Sequence, residues 1–320
     1  MRKFAGILAL ASLTLWGQAA FAAWPGDKPI ELVVGFAPGG GTDNMARLLA
    51  RFVEKRLGNG AKIVVVNKPG SAGELAATYV QRAKPDGYTL GIVNVPGYVF
   101  LPMYRKTAYQ PENIRLLARV VDDPAMLVAN KEAGKPLTMK ALVEAAKKAP
   151  DGFSVGHAGE GTTGHLGLLE LGRQTGIKLN SIPFKGASEA KTALLGGHVD
   201  YVAITTGEAL DVSQPGSKLT GVAVWSGKRA ANQVPTAAEQ GYDLRISSER
   251  GVAAPRALPD SVARSLEEAI AQALKDPAFV EAAKADAPVL AFLPGAEWEQ
   301  HLQELRVRLK PLVGLMGTAK

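Results

Sequence analysis

The 320-residue chain contains no cysteine. That excludes a disulfide-stapled scaffold, a thiolate nucleophile and a cysteine-ligated metal site together. Histidine is nearly as scarce, with four residues: His157, His165, His198 and His301. The trio His157, Glu160 and His165 fits no zinc-binding spacing, so no metal or other cofactor is expected. Aromatic residues make up only 6 % of the chain. Basic residues are mixed with acids, as in Lys131-Glu132, and form no stripe interleaved with aromatics, so nucleic acid is not an expected partner. The formal charge of +7 then reads as a mildly basic surface whose field favours an anionic ligand. Past the first few residues, no run is long and apolar enough to cross a membrane.

What the chain does have begins at its N-terminus. Arg2 and Lys3 precede an uncharged, mostly apolar run from Phe4 to Trp16, and Ala20-Phe21-Ala22 follows. Positive, apolar and small residues in that order predict a secretory signal peptide over 1–22, cleaved after Ala22. The apolar run falls short of the roughly 20 residues of a spanning helix. With 47 % hydrophobic residues, an exported chain of this length can stabilise itself by core burial alone.

Ile30 to Phe36 reads as a buried strand, followed by a glycine loop. Met45, Leu48, Leu49, Phe52, Val53 and Leu57 then fall on one face of a helix capped by Thr42 or Asp43. Lys62–Asn67 and Tyr88–Asn94 read as further strands, with a helix over Glu74–Ala83 between them. Continuous rather than alternating apolar strands imply a parallel sheet covered by helices on both faces. Leu116 to Asn130, interrupted by Asp122-Asp123-Pro124, reads as a crossing into a second βα series, and Gly251–Ala254 as the crossing back. The expectation is therefore a two-lobed α/β fold with two crossover strands and a central cleft. One domain takes residues 23–125 and 251–320, the other 126–250.

Three motifs compete for chemical meaning. Phe36-Ala37-Pro38-Gly39-Gly40-Gly41-Thr42-Asp43 is a strand–glycine loop–helix junction, whose bare N–H groups and helix dipole can hold an anion; a plain tight turn is the alternative. Gly159-Glu160-Gly161-Thr162-Thr163-Gly164 matches G-x-G-x-x-G. Glu160 would put a carboxylate in a pyrophosphate cradle, however, and no acid follows about 20 residues on. A carboxylate site of the same physical kind is the better reading, with His165 at the helix start a donor to a ligand oxygen. Gly152-Phe153-Ser154-Val155-Gly156 matches the nucleophile elbow, which raises a secreted serine hydrolase as the alternative function. Ser154 lies inside a strand rather than on the sharp turn that an elbow needs. Lys185, before a helix, and Asp200, at a strand start, are further polar candidates.

Lys28-Pro29-Ile30, Pro38–Asp43, Arg47, Asn67–Gly73 and Pro85–Leu90 together resemble the substrate-binding proteins of tripartite tricarboxylate transporters, the Bug or TctC family. The resemblance continues through Pro183–Gly186, Leu194–Asp200, Val234–Gly241 and Gly251–Pro255. It implies a periplasmic binding protein of two lobes (type II-like), not an enzyme, that closes like a Venus flytrap. It would act as a monomer and hand a small carboxylate, a di- or tricarboxylate or an aromatic acid, to membrane subunits. The implied ligand-binding set is Phe36, Ala37, Pro38, Gly39, Gly40, Gly41, Thr42, Asp43, Ser71, Val95, His157, Gly159, Gly161, Thr162, Thr163, His165, Lys185, Asp200 and Thr205. Glu160 departs from the Ser or Ala that family members often carry, and Arg250 is the cation available to offset it.

Overall fold

A computed structural model describes residues 24–149, 152–212, 214–229, 233–286 and 290–316. The expected signal peptide and its cleavage after Ala22 lie outside them. Among the described residues no helix is long and apolar enough to cross a membrane.

The chain opens with β1 (Ile30–Val34), α1 (Gly41–Leu57), β2 (Ile63–Asn67), α2 (Glu74–Arg82), β3 (Thr89–Val95) and α3 (Gly97–Tyr104). β1 is flanked by β2 and β3, both parallel to it. Its residues split between two hydrophobic clusters: Leu32 and Val34 pack with the apolar face of α1, Val33 with Ala76 and Val80 of α2. The strand is thus covered on both faces, which is why its sequence does not alternate. At Gly91 of β3 an added Cβ would run into Val80, so glycine there lets α2 sit close to the sheet.

β4 (Ile114–Asn130) is a single 17-residue strand. It runs straight through Asp122-Asp123-Pro124, where the sequence suggested an interruption. Its partners change at that point. Residues 114–124 pair with β9 (Ser247–Pro255), whereas Ala125–Ala129 pair with β7 (Tyr201–Thr205). The second half also pairs with β8 (Leu219–Val224), and the first with β10 (Leu290–Pro294). The second series comprises α4 (Met139–Ala146), β5 (Phe153–His157), α5 (Thr163–Thr175), β6 (Leu179–Pro183) and α6 (Ala187–Leu195), in addition to β7 and β8. After β9 the chain returns to the first lobe with α7 (Asp260–Leu274), α8 (Pro277–Asp286), β10 and α9 (Gly295–Val313). The strand path is β2-β1-β3-β9-β4-β7-β5-β6. The fold is the expected two-lobed α/β architecture, with β4 and the lead into β9 as the crossings. Ala125 N–H donates to Ile246 O at 3.0 Å where the two crossings touch.

In the second lobe the two faces of β7 divide as β1 does. Tyr201 and Ala203 pack with Leu166 and Leu171 of α5, and Val202 and Ile204 with Ala190 and Leu194 of α6. The cluster under α5 does not stop at the lobe boundary. It continues into Tyr98 and Phe100 of α3 and into Leu302, Leu305, Leu309 and Leu312 of α9. α3 was not legible from periodicity, because Tyr98, Val99, Phe100 and Leu101 are all buried and Pro102 falls inside the helix.

Candidate ligand-binding cleft

The carboxyl ends of β1 and β3 on one lobe and of β5 and β7 on the other face a cleft of about 570 Å³. Open α/β sheets place ligands beyond these strand ends. Phe36 to Thr42 line the cleft continuously. Gly39 has φ +81° and no neighbour within 4 Å of where a Cβ would stand, and Gly40 has only the Ala37 carbonyl, at 3.6 Å. The backbone of this loop is therefore open to whatever occupies the cleft. α1 begins at Gly41 with Gly40 as its N-cap and no side chain capping it. Its first N–H groups are left for a ligand or water.

Thr42 and Asp43, the two residues suggested as helix caps, do other work. Thr42 Oγ accepts from Asn94 Nδ2 at 3.1 Å. Asp43 is 2 % exposed and does not line the cleft. Its Oδ2 accepts from Gly39 N–H and from Arg47 Nε, each at 2.9 Å, and its Oδ1 from Asn67 Nδ2 at 2.8 Å. Burial pushes this carboxyl up, but the Arg47 hydrogen bond and the Gly39 N–H outweigh it and hold Asp43 below the usual carboxylate range. Asp43 is the fastener of the first loop.

The second lobe supplies Ala158, Gly161 and Thr162 from the loop before α5, Thr163 from its first turn, and Lys185 to Glu189 around the start of α6. α5 begins at Thr163, two residues before His165, so His165 is inside the helix and 6 % exposed. His157 is 1 % exposed. The two rings stack with centroids 4.8 Å apart. Gly161 N–H donates to His165 Nδ1 at 3.0 Å, and His157 Nδ1 lies 2.9 Å from the Gly159 carbonyl. Neither histidine reaches the cleft; both hold the loop from beneath. Burial and the neighbouring His165 push His157 down to about 4, and burial lowers His165 as well, so both are neutral at pH 7. Gly159, at φ +126°, also stands back from the cleft, its carbonyl taking Thr162 Oγ at 2.6 Å.

The last glycine of the G-x-G-x-x-G match, and Gly167 beyond it, have a packing cause. A Cβ at Gly164 would strike the Ala203 carbonyl, and one at Gly167 the Trp225 ring. These glycines bring α5 down onto the sheet. Glu160 is exposed and outside the cleft lining, so the departure at this position puts no acid against a ligand.

Val95, Lys185 and Thr205 line the cleft. Ser71 does not; it is exposed and its neighbour Ala72 takes that place. Asp200 stands at the wrong end of β7. The cleft meets that strand from Ala203 to Thr205, starting three residues and roughly 10 Å further on. Asp200 instead pairs with Lys135 at 2.6 Å and accepts from Ser154 N–H and Ser154 Oγ, both at 2.8 Å. Ser154 therefore has a carboxylate as its partner, not an imidazole. His301, the histidine that follows Ser154 in the first lobe, bonds Glu249 at 2.8 Å. The elbow match carries no nucleophile.

The polar side chains that sequence reasoning missed in the lining are Asn44, Asn94, Ser188, Glu189, Glu208 and Ser248. Both acids are engaged locally: Glu189 accepts from Lys185 N–H at 2.9 Å, and Glu208 from Thr205 N–H and Oγ, each at 3.1 Å. Lys185 and Arg250 bring positive charge to the same space. No group of three or more His, Asp or Glu among the described residues is arranged to hold a metal.

A fold of two α/β lobes around a cleft lined by glycine loops and helix starts defines a solute-binding receptor. The family model for the tripartite tricarboxylate transporter family receptor matches residues 45–314, and the chain belongs to that family. The "UPF0065 protein in gbd 5'region" of Cupriavidus necator is 34 % identical over 321 residues, covering 99 % of this chain and 95 % of its own. Among solved structures, the periplasmic binding protein BugD is similar at TM-score 0.77 and 32 % identity, over 92 % of this chain and 98 % of that one. MatC of Rhodopseudomonas palustris, solved with bound malate, is similar at TM-score 0.78 and 28 % identity, over 89 % and 98 %. The family is one of receptors, and this chain is a receptor rather than an enzyme.

Proposed function

We propose that the chain is exported to the periplasm and captures a small carboxylate in the cleft between its lobes. It presents that acid to the membrane subunits of a tripartite tricarboxylate-type transporter. The observation that carries this reading is the convergence of the open Phe36–Thr42 loop, at the uncapped start of α1, with Thr162-Thr163 at the start of α5. Two helix N-termini facing one space suit a ligand with negative charge at both ends. The bound malate of MatC supports the same ligand class.

The lobes exchange close to the 125/126 division and just before β9, near 246/247, and closure is a rotation about the two crossings. The hydrophobic cluster shared by α3, α5 and α9 keeps that rotation small. Taking a closed state from 1 % to 99 % requires about 5.5 kcal/mol of differential binding. A micromolar ligand supplies about 8 kcal/mol in all.

Native mass spectrometry of the purified protein tests the ligand class directly. A co-purified mono-, di- or tricarboxylic acid is the expected result. A neutral sugar or a cationic peptide in its place overturns the carboxylate reading. X-ray scattering with and without that acid should give a slightly smaller radius of gyration in the bound sample; an unchanged radius with binding confirmed means rigid lobes.

A further inference from the structure

β9 lies across the floor of the cleft. Ser248 and Arg250 line the cleft. Glu249, between them, points the other way, toward Arg119, Trp298 and His301, as a period of two requires. The Arg250 side chain is 4 % exposed. Its one hydrogen bond among the described residues is Nη2 to Asp123 Oδ2, at 3.3 Å. Charge-assisted bonds between these groups close to about 2.7–2.9 Å and favour a two-armed fork; this one is long and single.

Asp123 has other donors. Its Oδ1 accepts from Thr206 Oγ at 2.8 Å and Gly207 N–H at 2.9 Å. Among the described residues Arg250 has no other acceptor, and its Nε is buried without a partner. Directly across the ladder stands Asn94, paired in register with Arg250. The Oδ1 of Asn94 is likewise buried and unpartnered, while its Nδ2 is taken by Thr42. Arg250 Nη1 lies 3.4 Å from the position of a Cβ on Gly41, so the guanidinium reaches the first residue of α1. A side chain there would crowd it.

Idle donors on a buried guanidinium are costly unless something fills the space beside them. We infer that Arg250 takes one carboxylate of the ligand at the cleft floor, its open N–H edge converging with the first N–H groups of α1 on the same pair of oxygens. This rests on the carboxylate reading above and adds to it a charged, specificity-determining contact on the crossing strand. It also links the lobes. The ligand's carboxylate sits on Arg250 in β9, Arg250 on Asp123 in β4, and Asp123 on Thr206 and Gly207 of the second lobe. An acid lodged here tightens a polar chain that a neutral molecule of the same shape leaves slack.

Five acids serve as probes: L-malate, succinate, adipate, citrate and benzoate. Each is titrated calorimetrically against wild-type protein, and the tightest is carried to Arg250→Lys and Arg250→Gln. Arg250→Gln retains a donor for Asp123, and thermal melts confirm that both variants are folded. The expected losses are about 10-fold for Lys, which keeps the charge without the fork, and about 100-fold for Gln. A crystal structure of the wild-type complex is expected to place an Arg250 nitrogen about 3 Å from a carboxylate oxygen. This readout stands even where a variant fails to fold. A complex with the carboxylate more than about 4 Å from the guanidinium, or affinity in Arg250→Gln within threefold of wild type, overturns the inference alone. Wild-type protein that binds none of the five acids overturns the carboxylate reading and this inference with it.

Discussion

The two lobes bring loops of the same kind to the cleft, a glycine run ending at a helix start, but they fasten them with opposite chemistry. The first loop is held by a buried anion: Asp43 gathers Gly39, Arg47 and Asn67. The second is held by two buried neutral rings, His165 accepting from Gly161 and His157 set against Gly159. An ionised carboxylate that collects donors tolerates acid until it is itself protonated. A neutral imidazole that accepts an N–H fails as soon as its nitrogen takes a proton. The loops should therefore come apart in different pH ranges and respond to different substitutions.

The largest effect is expected in the first loop, where the backbone is the binding surface. Gly40 has φ −78°, which any residue adopts, and a Cβ there meets only the Ala37 carbonyl at 3.6 Å. Gly40→Val should fold normally yet push methyl groups into the ligand's place. About 100-fold weaker binding with an unchanged melting temperature is expected from calorimetry and thermal unfolding. Asp43→Ala is the complementary break. It leaves the Gly39 and Asn67 donors and the Arg47 charge without their acceptor, so about 2–3 kcal/mol of stability should go. Affinity should fall roughly 10-fold as the loop loosens. Wild-type affinity for Gly40→Val would mean that the ligand does not approach this loop.

Acid should separate the loops more gently. His157 titrates at about 4 in the fold against about 6.5 when unfolded. Below pH 6.5 the unfolded chain takes up protons that the folded one refuses. Stability is thus lost from about pH 6.5 down to about 4, by about 3 kcal/mol at most from this group. His165 shifts in the same direction and adds to the loss. The Asp43 carboxyl is lowered, so its contribution persists until the pH passes below the ordinary carboxylate range. Ligand affinity should therefore hold through that range and decline only as the pH nears 4, where His157 takes its proton within the fold, with Gly161 amide protection lost while Gly39 stays protected. His165→Asn keeps an acceptor near Nδ1 that takes no proton and should flatten the decline. An equally steep decline in that variant would exonerate the histidine pair.

Much of this site was legible in the chain itself, and what was not has identifiable causes. The strand–glycine–helix junctions are visible because glycine and periodicity punctuate them, and both loops do reach the cleft. His157, His165 and Asp43 stand beneath the loops rather than in the cleft lining, which was not legible because sequence shows proximity to a loop but not whether a side chain faces out of it or under it. All three turned out to be the supports. Asp200 was placed at the site by its polarity, although a parallel strand presents only its carboxyl end to the cleft. β10 escaped because its Leu290–Pro294 stretch is short and carries no alternation. The legible hint for the cleft floor was Ser247-Ser248-Glu249-Arg250, charged residues leading directly into a buried strand. A charge in that setting must find a partner, and the partners lie on β4, more than a hundred positions away, and on α9, about fifty.

The smallest expected effect is the one that separates the receptor from a hydrolase. Ser154 lies in β5, its Oγ donating to Asp200 at 2.8 Å and accepting from Asp200 N–H at 3.0 Å. No histidine is its partner. Asp200 in turn is tied to Lys135; burial pushes its carboxyl up, but Lys135 and the Ser154 hydrogen bonds hold it below the ordinary range. This is the chemistry of a strand fastener at the end of the sheet away from the cleft, not of a general base. Ser154→Ala removes one donor and one acceptor while the backbone Ser154 N–H still reaches Asp200. A loss of about 1 kcal/mol is expected in chemical denaturation, with ligand affinity unchanged. A comparison of the two proteins against ester and peptide substrates should find no hydrolysis by either. A hydrolytic rate in the parent that the alanine variant lacks would make Ser154 a nucleophile despite its setting, and would reopen the enzyme reading that the fold and family otherwise close.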